Sequence, residues 1–326
     1  VGARAREIAT LEALTVDLHL LLASFFRPSG RRTAILIDAP TFPSDRYAVA
    51  SHLRSRGLDP ASELIVVRPR SGEATVRTAD LEGAIHEHRG RLAMAWLAGA
   101  NYATGQVHDI ARLTAAVHAA GALAGWELAH AAGNVPLALH DDGVDVAAWC
   151  TYKYLNGGPG SPGQIFVNER HLDDPTVPRL AGWWGNDPAN RFEMAETFRP
   201  AGDATGWRVS NPPILSLAPV AASLAIFDEV GLAPLRDKSV ALTGYFEALV
   251  DELVPDAEIL TPRDPDARGA QLSLRLPDAP RRLDALRAAG VIGDFREPDI
   301  VRLAPVPLYN TYRDAWAAAR VLAATA

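Results

Sequence analysis

Short apolar runs alternate with amphipathic stretches through the first two thirds of the chain. Residues 5–26 carry apolar positions at helical spacing and stop before Pro28. Thr33-Ala34-Ile35-Leu36-Ile37 reads as a buried strand, and Pro43-Ser44 opens a helix to about Arg56 that Gly57 ends. A strand over Leu64-Ile65-Val66-Val67, a helix over 78–88, a strand over 92–97, a helix over 108–120 and a strand over 123–128 follow. Residues 144–150 and 164–167 complete the series. Nearly continuous apolar strands separated by helices predict an α/β fold, with a largely parallel sheet covered by helices on both faces. Segment 172–213, rich in Trp, Asn, Pro and Arg, has little periodicity, and long irregular segments tend to be functional or interfacial. Helices near 215–229 and 234–254 come next. A strand over 271–276, a helix over 279–289, a strand around 300–304 and a helix over 311–324 then form a small α+β unit. The expected division is a large domain over 1–213, connecting helices over 214–254 and a small C-terminal domain over 255–326.

Composition narrows the function. A net charge of −7 argues against nucleic acid or an anionic membrane as the main partner. The single cysteine, Cys150, excludes an internal disulfide and suits a reducing cytoplasm. No stretch reads as a signal peptide or a membrane span. The first residue is Val1 rather than methionine, so an N-terminal portion is expected to have been cut or left out.

Of the 32 basic residues only Lys153 and Lys238 are lysine. Lys153 stands between two tyrosines, after an apolar run and before Asn156-Gly157-Gly158-Pro159-Gly160. Arginine stays protonated, whereas a lysine amine can be neutral and nucleophilic enough for a Schiff base, which points to pyridoxal phosphate. Such a site needs an anion beside the pyridine nitrogen, a phosphate cradle and a group on the ring face. Glu127 ends an apolar strand, where it either meets a cationic partner or lies at an exposed end. His130 is a structural histidine or a contact to the cofactor ring oxygen or substrate. Thr15 either caps a helix whose amides bind phosphate or lies inside the helix. Phe42 and Asp45 follow a strand where a loop reaches the crevice, although Asp45 also suits a first helical turn. Arg302, in an apolar strand, suits a substrate carboxylate or a structural ion pair.

Several motifs in order carry a resemblance to the kynureninases, which belong to fold type I of the pyridoxal phosphate enzymes. They are Ala13-Leu14-Thr15-Val16, Phe42-Pro43-Ser44-Asp45, the run from Glu127 to Val135, and Trp149 to Asn156. Gly182-Trp183-Trp184-Gly185, Arg208 to Ile214 and Ala304 to Asn310 follow. The resemblance implies that Lys153 carries the cofactor, and that Tyr152 contacts phosphate and donates a proton during turnover. It also implies phosphate binding by Leu14 and Thr15, stacking of Phe42 on the ring, and Asp45, Glu127 and His130 lining the site. Arg302 would hold the substrate carboxylate, with Ser210 and Asn211 near the substrate's aromatic ring. In the implied homodimer, Trp183 and Asn211 reach across from the neighbouring chain. The implied reaction is hydrolysis of the Cβ–Cγ bond of kynurenine or 3-hydroxykynurenine to alanine and an anthranilate. It would serve tryptophan catabolism, NAD biosynthesis or a secondary pathway.

The sequence departs from the family in three places. Glu127 stands where an aspartate is usual, and Ala98 where a hydroxyl is usual. The family's N-terminal portion, with a Gly-Asn-Ser motif near the substrate, is not represented ahead of Val1. The alternatives are a related pyridoxal phosphate lyase acting on another β-substituted amino acid, or a non-catalytic dimeric scaffold. A cysteine desulfurase is disfavoured, because Cys150 lies in a predicted strand three residues before Lys153 and not on a mobile loop.

Overall fold

In the computed structural model, which describes residues 1–325, the strand and helix signals become two sheets. The first part runs β1 (Ile8–Thr10), α1 (Leu14–Phe25), β2 (Ala34–Asp38), α2 (Pro43–Ser55), α3 (Pro60–Glu63), β3 (Leu64–Val67) and α4 (Thr78–Glu87). It continues through β4 (Leu92–Ala98), α5 (Ile110–Ala119), β5 (Leu123–Glu127), β6 (Val146–Cys150) and β7 (Gly163–Val167). These strands form one sheet in the order β1-β7-β6-β5-β4-β2-β3, parallel except for the β6–β7 and β7–β1 pairs. The largely parallel sheet read from the sequence is therefore present, with an antiparallel edge.

One sequence expectation needs correcting at the start of the chain. Residues 5–26 are not one helix: Ile8–Thr10 form β1, paired with Phe166, Ile165 and Gln164 of β7, and the helix begins only at Leu14. Three residues leave too short a pattern to separate strand from helix, and the pairing with β7 decides the outcome.

The sheet is buried on both faces. On one face Leu81, Ile85, Leu113 and Val117 from α4 and α5 pack against Trp126, Ala124 and Leu97. On the other, Leu18, Leu21, Leu22 and Phe25 of α1 and Val49 and Leu53 of α2 meet Ile35, Ile37, Trp96 and Trp207. Each fully buried aliphatic side chain of this kind contributes about 1.5–3 kcal/mol of transfer free energy. The buried indoles keep partners: Trp126 Nε1 donates to Thr114 Oγ1 (3.1 Å) and Trp207 Nε1 to Ser24 Oγ (3.0 Å). Gly125 sits directly beside Trp96 in the β4–β5 register, and a Cβ there would come within 2.2 Å of the indole. The glycine thus makes room for the tryptophan.

The rest of the chain runs α6 (Ile214–Val230), α7 (Leu232–Leu253), β8 (Glu258–Ile259), β9 (Leu272–Arg275), α8 (Ala279–Ala288), β10 (Asp294–Arg296), β11 (Ile300–Leu303) and α9 (Tyr312–Ala323). The strands form an antiparallel sheet in the order β10-β11-β9-β8, and a separate core joins it to α7, α8 and α9 through Phe246, Leu274, Leu286, Val301 and Leu322. Among the described residues no single helix is long and apolar enough to cross a membrane, and the apolar pair α6–α7 bends by 85°. The parallel strands β2, β4, β5 and β6 end on Asp38, Ala98, Glu127 and Cys150. Their carboxyl ends define the crevice in which open α/β sheets bind ligands.

Candidate active site

A cavity of ≈ 760 Å³ opens at those strand ends, between the large sheet and β10–β11. Leu14, Thr15, Phe42, Glu127, His130, Tyr152, Lys153 and Arg302 all line it, although they are scattered over nearly 290 positions of sequence. Asp45 lies behind this wall, buried in the first turn of α2. Trp183, Ser210 and Asn211 are not on the wall. Trp183 is exposed in a 3-10 turn, where its Nε1 donates to the Arg191 carbonyl (3.0 Å). Ser210 Oγ donates to Asn211 Oδ1 (3.3 Å) on another exposed loop.

Lys153 follows β6 on a turn that is locked from below. Gly157 N–H donates to the Thr151 carbonyl (2.8 Å), while Thr151 Oγ1 donates to the Pro162 carbonyl (2.5 Å). Asn156 takes the left-handed conformation (φ 54) and its N–H donates to the Lys153 carbonyl (3.0 Å). A side chain at Gly157 would come within 2.9 Å of the Thr151 carbonyl, so the loop can fold back only because it is glycine there. The amine therefore projects from a rigid base, 5.8 Å from the centroids of both the Phe42 and the Tyr152 rings. The other lysine, Lys238, is spent on the Pro307 carbonyl (2.5 Å).

Beneath the amine lie three buried carboxyl groups, Asp38, Asp45 and Glu127. Glu127 turns back on its own chain, accepting from the Ala129 N–H (2.6 Å). Burial pushes its pKa up, and the nearby Lys153 charge opposes that only in part. Asp45 is also pushed up, by burial first and then by the charge of Glu127. Asp38 is held by the Ala98 N–H (3.0 Å) and by Asn101 Nδ2 (3.4 Å), so position 98 serves the site through its backbone. Lys153 is the ammonium that acts on Glu127 and Asp45, and His108 Nε2 lies 3.5 Å from Asp38. One ammonium only partly offsets the burial of these acids, a protonated pyridine nitrogen would add a second positive charge, and in this respect the residues fit pyridoxal phosphate.

The phosphate end fits as well. Thr15 is not the cap expected from one reading of the sequence, because Ala13 takes the extended cap position (φ −96, ψ 150) and Thr15 is the second residue of α1. Among the described residues no side chain caps the helix. Its first amides and the Thr15 hydroxyl are therefore free to bind an anion at the positive end of a twelve-residue helix.

Two further groups carry perturbed protons. Burial, then the positive charges of Lys153 and Arg302, hold His130 well below the ordinary imidazole range, and its buried Nδ1 has no partner. The Tyr152 phenol is pushed up to about 12, by burial and then by Cys150. Arg302 enters from β11, but it is already engaged. Its Nε donates to Asp294 Oδ1 (2.6 Å), Nη2 to Asp294 Oδ2, and Nη1 to the Tyr102 carbonyl. Tyr102, Asp294 and Arg296 also line the cavity and were missed in the sequence. Asp294 and Arg296 lie on β10, whose three residues give no readable period.

The kynureninase C-terminal domain family model matches residues 235–322. A kynureninase from Salinispora tropica is 54% identical over 330 residues, spanning 100% of this chain and 77% of that protein. Kynureninases from Xanthomonas oryzae pv. oryzae and Myxococcus xanthus are each 50% identical, over 98% and 97% of this chain and 78% and 75% of theirs. Among solved structures, a cysteine desulfurase from Thermococcus onnurineus NA1 superposes with a TM-score of 0.81 at 17% identity, covering 100% of this chain and 80% of its own. A lysine-to-alanine mutant of the cystine C–S lyase C-DES, with glycine covalently linked to its pyridoxal phosphate, also reaches 0.81 at 16% identity, over 98% and 81%. These structures share the fold.

Proposed function

Because this chain belongs to the kynureninase family, we propose that it hydrolyses the Cβ–Cγ bond of L-kynurenine, 3-hydroxy-L-kynurenine or both, giving L-alanine and the corresponding anthranilate. It is a pyridoxal phosphate enzyme of tryptophan catabolism. Bound pyridoxal phosphate supplies an electron sink conjugated with the substrate Cα.

The observation that carries the reading is the single amine of the crevice, Lys153, held over Phe42 and above the buried carboxyls. Lys153 would bear the cofactor and, once released, take the Cα proton. The amides of Leu14 and Thr15, with the hydroxyls of Thr15 and Tyr152, would hold the phosphate. Phe42 would stack on the ring, and Glu127 with Asp45 would keep a proton on the pyridine nitrogen. Tyr152, with its pKa raised, stays protonated at neutral pH and suits donation of a proton to Cβ rather than removal of one. His130 stays neutral and offers its free Nδ1 to the cofactor oxygen or the substrate. Arg302 would meet the substrate carboxylate. Cys150 is buried at the end of β6, which leaves it unable to serve as a mobile desulfurase nucleophile.

A homodimer in the cytoplasm completes the reading. Leu215 is 91% exposed and Ile214 68%, at the start of an apolar helix whose buried residues are only Val220 and Ser223. Trp183, Ser210 and Asn211, which lie off the cavity wall, would act from the neighbouring subunit. Sedimentation of a monomer at assay concentrations speaks against this arrangement.

The function is tested with cofactor-loaded protein. It should show a visible absorption band that is absent in Lys153→Ala, and should release fluorescent anthranilate from kynurenine or its 3-hydroxy form. Normal turnover by Lys153→Ala refutes the assignment of the lysine. Failure of the wild type to release either anthranilate refutes the substrate.

A further inference from the structure

Arg302 is not the only guanidinium on the carboxylate side of the cavity. Arg296, two residues beyond Asp294 on β10, also lines it. Its Nη2 donates to Asp294 Oδ2 (3.1 Å), the same oxygen that accepts from Arg302 Nη2. The two guanidinium carbons lie 5.9 Å and 6.0 Å from the centroid of the Tyr102 ring. Two cations therefore converge on one carboxylate and one aromatic ring, leaving an excess of one positive charge.

The groups are unequally satisfied. Arg302 uses both sides of its fork, with a side chain 9% exposed. Arg296 makes a single hydrogen bond among the described residues, and its Nε–H is buried without an acceptor. A planar fork with unused donors in a ligand cavity is suited to a second carboxylate. Asp294 is half-exposed at the mouth and aims both forks through its two oxygens. Burial opposes ionisation of Asp294, but the hydrogen bonds and charges of Arg302 and Arg296 hold its carboxyl below the ordinary range.

We propose that Arg296 is a second substrate-binding residue, forming with Arg302 a two-guanidinium clamp on the α-carboxylate of the amino-acid substrate, with Asp294 as the positioning residue that holds both forks. This rests on the amino-acid reading of the cavity given above. In the clamp, the incoming carboxylate takes the unused Nη donors of Arg296 together with those of Arg302 that Asp294 and Tyr102 leave open.

Calorimetric titration of the holoenzyme tests this with three probes. Deamino-kynurenine keeps the carboxylate and the aryl ketone, ortho-aminoacetophenone keeps only the ketone and ring, and L-alanine keeps only the amino-acid end. Arg296→Gln should weaken deamino-kynurenine and alanine by about 10–100-fold, as expected for lost charge-assisted hydrogen bonds, and leave ortho-aminoacetophenone unchanged. Arg296→Lys, which keeps the charge and loses the fork, should fall between wild type and Arg296→Gln. In turnover, the loss should appear mainly in KM. Equal carboxylate-probe affinities in wild type and Arg296→Gln overturn the clamp. Parallel loss of all three probes marks a structural arginine and overturns it equally. If the wild type releases no anthranilate from kynurenine, the substrate assignment fails, and the alanine arm still decides the clamp.

Discussion

Replacing Asp17 by asparagine removes a charge that the fold buries without full compensation. Asp17 is 0% exposed in α1, three residues into the helix that opens at the cavity. Its Oδ1 accepts from the Glu12 N–H (2.9 Å), but Oδ2 is buried with no partner, and a Cβ on Gly163 would come within 2.2 Å of it. Burial raises the carboxyl to about 7 from an ordinary value of 3.8. An acid with a raised native pKa stabilises the fold relatively only while protonated in both states. As pH rises above about 4 the unfolded chain loses this proton first, and native stability falls until the folded group also ionises near 7. The slope is about 1.4 kcal/mol per pH unit, so ionising Asp17 costs about 4 kcal/mol by slightly alkaline pH. Asparagine keeps the acceptor for Glu12 and lacks the titration. Its amide hydrogens add a pH-independent cost of about 1–3 kcal/mol if they find no acceptor. The difference in stability, variant minus wild type, should therefore rise by about 2–3 kcal/mol between about pH 5 and about pH 8. Urea unfolding of holoenzyme at fixed protein and cofactor concentration across that range measures it, where a single transition is seen. A difference that stays flat with pH refutes the reasoning.

The opposite sign is expected at Asp145, which is buried before β6. Burial alone would raise it, but His118 (2.8 Å), His171 (2.7 Å), Arg170 and the Ala124 N–H (2.7 Å) hold it far below its ordinary value. Its stabilisation is present above about pH 4 and is lost as pH falls towards the depressed folded value, so Asp145→Asn should cost about 1–3 kcal/mol near neutrality and converge on wild type in strong acid. Chemical denaturation at both ends of that range checks this. His52, 3.0 Å from His19 across the α1–α2 contact, is lowered to about 4 by burial and then by the charges of His19 and Arg56. The unfolded chain therefore binds the proton first as pH drops below about 6.5, and His52→Gln should reduce the fall in melting temperature over that window by an amount equivalent to about 1–2 kcal/mol, after screening by solvent.

Much of the fold was legible because each long element repeats one physical signal. The buried strands β2, β4, β5 and β6 are mostly apolar runs, with an acid only at the last position of β2 and β5, and α2 begins at the expected Pro43. What was hidden is short or tertiary. β1 and β10 have three residues each, and their state is set by β7 and β11 rather than by their own pattern. Lys153 stood out against an arginine-rich composition, and Glu127 against an apolar strand. The ion-pair reading of Arg302 stayed open in the sequence because its partner, Asp294, comes from the strand that could not be read. For Thr15 a capping and a helix-internal position both stayed open in the sequence, and the structure takes the second. Only the extended backbone of Ala13 fixes the cap one residue ahead of Leu14.

The two walls of the cavity are unbalanced in opposite senses, and this restricts what can fill it. At the ends of β2 and β5 and the start of α2, Glu127 on the wall, with Asp38 and Asp45 buried behind it, faces one ammonium, Lys153. At β10 and β11, two guanidinium groups face one carboxylate, Asp294. A neutral apolar molecule would offer neither set a partner, leaving the raised acids to hold protons and one guanidinium unmatched in a partly desolvated space. A single anion would relieve the second wall and worsen the first. Both are relieved together by a cation on the floor and a carboxylate at β10–β11, with an apolar body between them against Phe42 and Tyr102. A protonated pyridine ring joined to an amino acid has that order of charges. Under the proposed function the acids would meet the pyridine nitrogen and the arginines the carboxylate, at opposite ends of one ligand.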